Sequence, residues 1–258
     1  MTYERLARVL RGRPLRFFRS VDSTNSAARE WIGSHGTEAV GGIVVADEQT
    51  GGRGRFRRSW VTPAGAAVAL SIITAAERPE ILPQAAGVSV AQAVEPLVSG
   101  SVGLKWPNDV EIEGRKVAGI LIESSLSGGH GFQITGIGVN VDVDFTTVSG
   151  DAGPGSKLAL RATSIAHHRP VGAAALDRVE LVAEVVKAFE ASLSLRDLRE
   201  RWKALLTTLG RTVTVDGPGG RITGRAVDVA PDGRLVIEVS PGNSVMVAAG
   251  DVTVVSSR

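Results

Sequence analysis

Two segments concentrate the residue types that can do chemistry. Gln49 to Trp60 reads QTGGRGRFRRSW, with three glycines in four positions and four arginines packed around them. Gly51, Gly52 and Gly54 let backbone amides come close to a ligand, while Arg53 and Arg55 can each meet phosphate or carboxylate oxygens through paired N–H donors. That combination suits an anion held by a closing loop; the competing reading is a solvated basic turn. The second segment, Lys105 to Asp109, reads KWPND and is followed by Lys116 in GRKVAGILIE. Only five lysines stand against twenty-four arginines in the chain, and two of the five are here. An ammonium is a compact charge where a guanidinium fork is too broad, and Asn108 with Asp109 beside a proline bend can bind Mg²⁺ or orient a proton. Pro, Asn and Asp are also ordinary turn residues, so a plain turn is the alternative.

Other chemistries find little support. Gly136, Gly138 and Asn140 (GIGVN) make a dinucleotide fingerprint without its third glycine, and residues 150–157 (GDAGPGSK) place serine before lysine, so neither is a Rossmann or Walker signature. The histidines His35, His130, His167 and His168 lack metal-ligand spacing, and no nucleophilic serine elbow occurs. The absence of cysteine removes disulfides, thiolate nucleophiles and cysteine metal sites.

The elements that must position these residues follow from periodicity. A short helix over 3–10 and a strand over Leu15–Val21 lead into Asp22-Ser23-Thr24-Asn25, a helix start signal. Ala28, Trp31 and Ile32 then recur at helical spacing. Gly42–Glu48 and Ala66–Ala75 read as buried strands on either side of the arginine loop, and 81–98 as a core helix with Gly87 and Pro96 blurring its ends. Val102–Trp106 is a short strand; Val110–Ile112 and Lys116–Glu123 form a hairpin turning at Glu113-Gly114-Arg115, and Phe132–Val141 is a further strand. Asp142–Lys157 reads as a loop, followed by a long helix with Val179, Val182, Ala183, Val186, Phe189 and Leu193 on one face and a second helix over about 195–208. From 209 to 258 the texture changes to short β-rich runs separated by Pro-Gly and Asp-Gly turns, which predicts a small β-barrel. This module holds five arginines, five acids and no aromatic residue, which argues against single-stranded nucleic-acid binding by it.

The chain as a whole has 258 residues, 43% hydrophobic and 22% charged, enough for a large core and one or two domains and unlike a disordered or collagenous sequence. Its 29 basic and 27 acidic side chains leave a charge of only +2, so the bulk charge does not mark a nucleic-acid binder. Six arginines against one acid in the first twenty residues, together with Arg53, Arg55, Arg57 and Arg58, form two basic segments. No signal-peptide stretch or membrane span is apparent, which predicts a cytoplasmic protein without a membrane partner.

Taken in order, DSTN (22–25), EQTGGRGRFRRSW (48–60), KWPND (105–109), GRKVAGILIE (114–123) and GIGVNV (136–141) closely resemble the biotin protein ligases, over nearly the whole chain. The resemblance implies an α+β fold, a central mixed β-sheet flanked by helices with a small C-terminal Src-homology-3-like β-barrel, divided into a catalytic domain at 1–208 and a β-barrel domain at 209–258. It implies that biotin and MgATP give biotinyl-5′-adenylate and pyrophosphate, after which a lysine of a biotin carboxyl carrier protein takes the biotinyl group.

Residue by residue, the family pattern would place Ser23, Thr24, Asn25 and Gln49 at biotin's ureido ring, although Ser23 could be only an N-cap. Gly52, Arg53, Gly54 and Arg55 would close over the biotin carboxylate and the adenylate, with Arg58 near the pyrophosphate and Trp60 on the biotin tail, or else simply in the core. Lys116 would meet the carboxylate and α-phosphate, Asn108 the ATP phosphates and Mg²⁺, Asp109 the incoming lysine and Asn140 the adenylate. Gly119 and Gly138 would let the strands approach the ligand. Lys116, Arg55 and Asp109 would carry the chemistry.

Two departures stand out. The common loop pattern GRGRxGRxW has a glycine where this chain has Arg57, after Phe56, which predicts less backbone freedom. Only about twenty residues precede DSTN, too few for the helix-turn-helix of the repressor-type members, which predicts a ligase that binds no operator DNA, as either monomer or homodimer. A lipoate or octanoate ligase or transferase of related fold is the alternative; the arginine loop and Gln49 favour biotin, because a ureido ring needs polar partners that an alkyl chain does not.

Overall fold

The computed structural model describes residues 1–60, 63–146, 161–217 and 219–255. Helix α1 (Tyr3–Val9), capped by the Thr2 hydroxyl, leads to strand β1 (Leu15–Phe18) and helix α2 (Thr24–His35). Strands β2 (Ile43–Ala46) and β3 (Ala67–Ala75) flank the arginine loop, and α3 (Leu82–Val94) follows. Next come β4 (Val102–Lys105), β5 (Asp109–Ile112), β6 (Arg115–Ser127), β7 (His130–Asn140), α4 (Arg178–Ser192) and α5 (Leu198–Leu205). The C-terminal strands are β8 (Thr212–Gly217), β9 (Gly220–Val229), β10 (Leu235–Ser240), β11 (Asn243–Val247) and β12 (Asp251–Val254).

The first seven strands form one mixed sheet in the order β1-β2-β3-β7-β6-β5-β4, with β1 and β2 parallel and every other pair antiparallel. Strand alternation gives the sheet two different faces. Ile43, Val45, Val68, Leu70, Ile72, Ile137 and Val139 point to the face covered by α1, α3, α4 and α5, where the larger core lies. Val44, Ile73 and Ile134 point the other way, onto the stripe Ala27, Ala28, Trp31 and Ile32 of α2. Beyond the end of that second core the same face carries Ser71, Gly119, Glu123, Gly136 and Gly138, small or polar residues that leave room above the sheet.

The chain departs from several expected boundaries. β1 stops at Phe18, three residues short of Val21, which instead makes an isolated parallel bridge to Gln49. The helix expected over 81–98 is α-helical only over Leu82–Val94, with a 3₁₀ turn at each end where Pro79 and Pro96 stand. A Cβ on Gly87, inside it, would come tightly against Leu104 at 3.2 Å. The second late helix is shorter than 195–208, running Leu198–Leu205. The C-terminal strands form an antiparallel sheet in the order β11-β10-β9-β8-β12; β11 and β12 are not paired, so the barrel is not closed. Of the loop expected over Asp142–Lys157, residues 147–157 lie outside the described residues, as does the rejected 150–157 motif. No helix among the described residues is long and apolar enough to cross a membrane.

Candidate active site

The site begins at the N-terminus of α2. Ser23 occupies the cap position, yet its side chain makes no capping hydrogen bond, so the cap reading does not account for its hydroxyl. Thr24 donates from its backbone N–H (2.8 Å) and its hydroxyl (3.1 Å) to Gln49 Oε1. Backbone bonds from Thr50 N to the Val21 carbonyl and from Gly51 N to the Asp22 carbonyl lay the two motifs side by side. Beneath them, Ser71 Oγ lies 2.7 Å from both Thr24 Oγ1 and Asn25 Oδ1, and Asn25 Nδ2 donates to Glu123 Oε2 at 2.8 Å. Asn25 is buried and spends both ends of its amide within the protein, so it supports the pocket from below. Gly136 is required there: a Cβ would fall 2.4 Å from Asn25 Oδ1.

The arginine loop is a short hairpin. Trp60 N donates to the Gly52 carbonyl and Gly54 N to the Arg58 carbonyl, Arg53 bridges Ser59, and a 3₁₀ turn spans Arg55–Arg57. Gly52 has no room for a side chain, because a Cβ would lie 2.3 Å from the Trp60 carbonyl oxygen and 3.0 Å from Gln49 Nε2. The left-handed residue of this turn is Phe56 (φ 56°), one place before the position where the family pattern has glycine. The loss of freedom expected at Arg57 therefore falls on Phe56, in a conformation that costs a non-glycine residue about 1–3 kcal/mol.

Trp60 links the two ends of the site. Its indole covers Gly138 and Gly119, paired residues of β7 and β6, so closely that a Cβ on Gly138 would lie 2.4 Å from it and one on Gly119 3.2 Å. What the glycines admit here is the indole itself, half-buried, with Nε1 shielded from solvent and without a hydrogen-bond partner among the described residues. Lys116 Nζ lies 5.4 Å from the centre of the ring and 2.6 Å from Asp109 Oδ1. A two-residue turn, Glu113 and Gly114, both at positive φ, brings Lys116 on β6 back beside Asp109 on β5.

Asn108 is strapped to β6: its Nδ2 and its carbonyl bond the carbonyl and N–H of Ile120, both at 2.9 Å, while its Oδ1 accepts from Arg55 Nη1 at 3.3 Å. Burial lowers the pKa of the Arg55 guanidinium, against the pull of Asp109 and Asp251. Two further loop arginines rest on protein acceptors: Arg53 Nη2 on Ser26 Oγ (3.1 Å) and near Glu123 (3.8 Å), Arg58 on Asp251. Asn140 is apart from this group. Its Nδ2 donates to the Thr163 carbonyl at 3.0 Å, and Thr163 N in turn bonds the Lys116 carbonyl, so Asn140 braces the strand that carries Lys116.

Contacts therefore run without a break from Thr24 and Gln49 through Gly52 and Trp60 to Lys116, Asp109, Asn108 and Arg55. A polar cluster at one end, the Trp60 indole in the middle and a cationic cluster at the other suit an elongated ligand with a polar head, an alkyl section and an anionic end. Two surface clefts, of about 430 Å³ between α1 and α4 and about 230 Å³ beside β4 and α5, lie outside this run of contacts and are lined by none of these residues. Sequence reading missed Ser26, Ser71, Glu123 and Asp251. Ser71 alone left a trace, as one of two hydroxyls, with Thr74, in the otherwise apolar strand AVALSIITA.

Comparison with known proteins agrees with this geometry. Residues 17–142 match the model of the biotin/lipoate A/B protein ligase family, and residues 208–255 that of the biotin protein ligase C-terminal domain. The chain is 34% identical over 231 residues to a biotin–[acetyl-CoA-carboxylase] ligase of Mycobacterium tuberculosis, covering 84% of this chain and 80% of the relative. It is 30% identical over 246 residues to the enzyme of that name from Paracoccus denitrificans, covering 88% of this chain and 95% of the relative. Among solved structures, the biotin protein ligase of Aquifex aeolicus in complex with biotin and ATP superposes with a TM-score of 0.74 at 28% identity, covering 95% of this chain and 99% of that one. With a contiguous site, a matching fold and relatives aligned over most of their length, the chain belongs to the biotin protein ligase family.

Proposed function

We propose that the chain joins biotin to ATP, giving biotinyl-5′-adenylate and pyrophosphate, and then passes the biotinyl group to a lysine of a biotin carboxyl carrier domain. The observation that carries this reading is the single run of contacts from the polar cluster of Thr24, Gln49 and Ser71 to a cluster of cations. In the first step the biotin carboxylate attacks the α-phosphorus and pyrophosphate leaves. Two negatively charged groups must meet, so the barrier is largely electrostatic, and fixed cations in a partly dried site lower it without reorganising.

Lys116 takes the position between carboxylate and α-phosphate, held there by Asp109 and by the brace from Thr163 and Asn140. Arg55, tied to Asn108, approaches from the loop side, and Arg53 and Arg58 meet the outer anionic groups. In the second step Asp109 stands beside the incoming lysine amine as its proton acceptor, and AMP leaves as the amide bond forms. The Trp60 indole, seated on Gly119 and Gly138, holds the alkyl section, while Thr24 and Gln49 address the ureido ring.

The described residues contain no group of three or more His, Asp or Glu side chains that could hold a metal. The donor set at Asn108 and Asp109, one amide oxygen and one carboxylate, fits Mg²⁺ carried in on the phosphates, with Asn108 as its protein contact. When bound, that ion offsets phosphate charge. The division into a catalytic part (1–208) and a C-terminal part (209–258) and cytoplasmic placement beside ATP belong to the same reading.

The test is incubation of the protein with ATP, Mg²⁺, biotin and a carrier domain, followed by mass measurement of the carrier. One biotinyl addition at a single lysine is the expected result. Pyrophosphate exchange driven by octanoate and not by biotin would replace this reading with lipoate-type chemistry.

A further inference from the structure

The geometry points to Asp251, at the start of β12, as a positioning residue for the reaction: it holds Arg58 and so pre-orders the arginine loop from the C-terminal sheet. The inference rests on the ligase reading above for its consequence, though not for its observations. Arg58 meets Asp251 with both guanidinium nitrogens, Nη1 to Oδ1 at 3.1 Å and Nη2 to Oδ2. The two residues are 193 positions apart, and two further arginines of the loop are held from other parts of the chain, Arg53 at Ser26 and Arg55 at Asn108. Three anchors from three parts of the chain thus hold three like charges close together, where mutual repulsion would otherwise splay them. Burial lowers the pKa of Arg55, and the opposing influence of Asp251 shows that its field reaches the second arginine as well as the first.

Asp251 can act as an anchor because the sheet that carries it is itself seated on the catalytic part. Trp106 Nε1 donates to the Gly233 carbonyl at 2.8 Å, and Lys203 pairs with Asp228 at 2.6 Å. Trp106 adjoins Pro107 and Asn108, so the same sheet supports both the bend that carries Asn108 and Asp109 and the loop that faces them. A loop already in place spares the ligand the cost of ordering it on binding. Removal of the anchor therefore weakens ATP binding and exposes the loop.

Both partners are open to solvent, 63% and 39% exposed, so the effect is modest, about two- to fivefold. The experiment is limited trypsin digestion of the ligand-free protein, with cleavage after Arg53, Arg55 and Arg58 followed by mass spectrometry. Asp251→Asn should raise cleavage in the loop about two- to fivefold, with Asp251→Glu close to the parent, while cleavage after Arg221 and Arg225 within the sheet stays unchanged. In biotin-dependent ATP–pyrophosphate exchange, Asp251→Asn should raise KM for ATP by a similar factor and leave kcat within about twofold. Equal loop cleavage in parent and D251N, a rise shared by the sheet's own arginines, or a KM for ATP that stays or falls overturns the inference. Absence of exchange in the parent would instead count against the ligase reading, since loop protection requires no substrate.

Discussion

Lys116 is the residue on which the reaction turns. Its Nζ reaches Asp109 as a point charge at 2.6 Å and lies under the indole of Trp60, an arrangement with little room for a planar fork. Lys116→Ala should slow adenylate formation by about 10²- to 10³-fold, the usual effect of removing one charge-stabilising donor. Lys116→Arg should recover only a small part of that loss, because position as well as charge is set at this site. Single-turnover measurement of biotinyl-5′-adenylate checks both. Near-parental rates in Lys116→Ala would remove the electrostatic mechanism. Lys116 was legible in the sequence because lysine is so rare in this chain. Its brace was not, since Thr163 and Asn140 lie far from it along the chain; Thr163 meets it through a backbone bond, and the Asn140 side chain holds Thr163.

At the scale of elements, the strands decide which residues can face a ligand. β3 places Ser71 on the site side between Ala69 and Ile73, where it joins Thr24, Asn25 and Gln49 into one buried network. Ser71→Ala leaves buried acceptors with one donor fewer, and we expect a loss of about 1–3 kcal/mol in stability, visible as a lower urea midpoint, with a raised KM for biotin. A second element-level outcome concerns β5. Burial raises the pKa of Glu111, against the influence of Lys105, while Asp109 adds to the rise. The fold therefore binds this proton more tightly than the unfolded chain does, so stability falls as pH rises from the ordinary carboxylate range through the raised value. Glu111→Gln imitates the protonated form. It should be more stable than the parent at about pH 8, with the difference vanishing near pH 4, below the ordinary carboxylate pKa; urea titrations at both pH values test this. The sequence shows Glu111 in a short β run, but its burial depends on α5 and Thr207 closing over it.

At the scale of the whole molecule, the C-terminal sheet and the sheet of the catalytic part meet at Trp106. Trp106→Phe keeps an aromatic ring but removes the bond to the Gly233 carbonyl and part of a fully buried side chain, which should cost about 1–3 kcal/mol. A single cooperative urea transition in the parent that shifts as one in the mutant would show the two parts unfolding together. Separate transitions would show that the contact does not couple them.

The order of elements and the motifs at 22–25, 48–60, 105–109, 114–123 and 136–141 were readable from sequence. Periodicity, glycine spacing and charge type are local properties that survive without coordinates. The hairpin at Glu113 and Gly114 is such a case, since turn chemistry acts between neighbours. Tertiary structure alone decided that Asn25 and Asn140 brace the site from within, that the indole of Trp60 fills the space over Gly119 and Gly138, and that Glu123 and Asp251 face the loop arginines. These are pairings between residues tens to hundreds of positions apart. Their geometry depends on strand register and helix seating, and a change of one residue in register would turn every such side chain to the opposite face of the sheet.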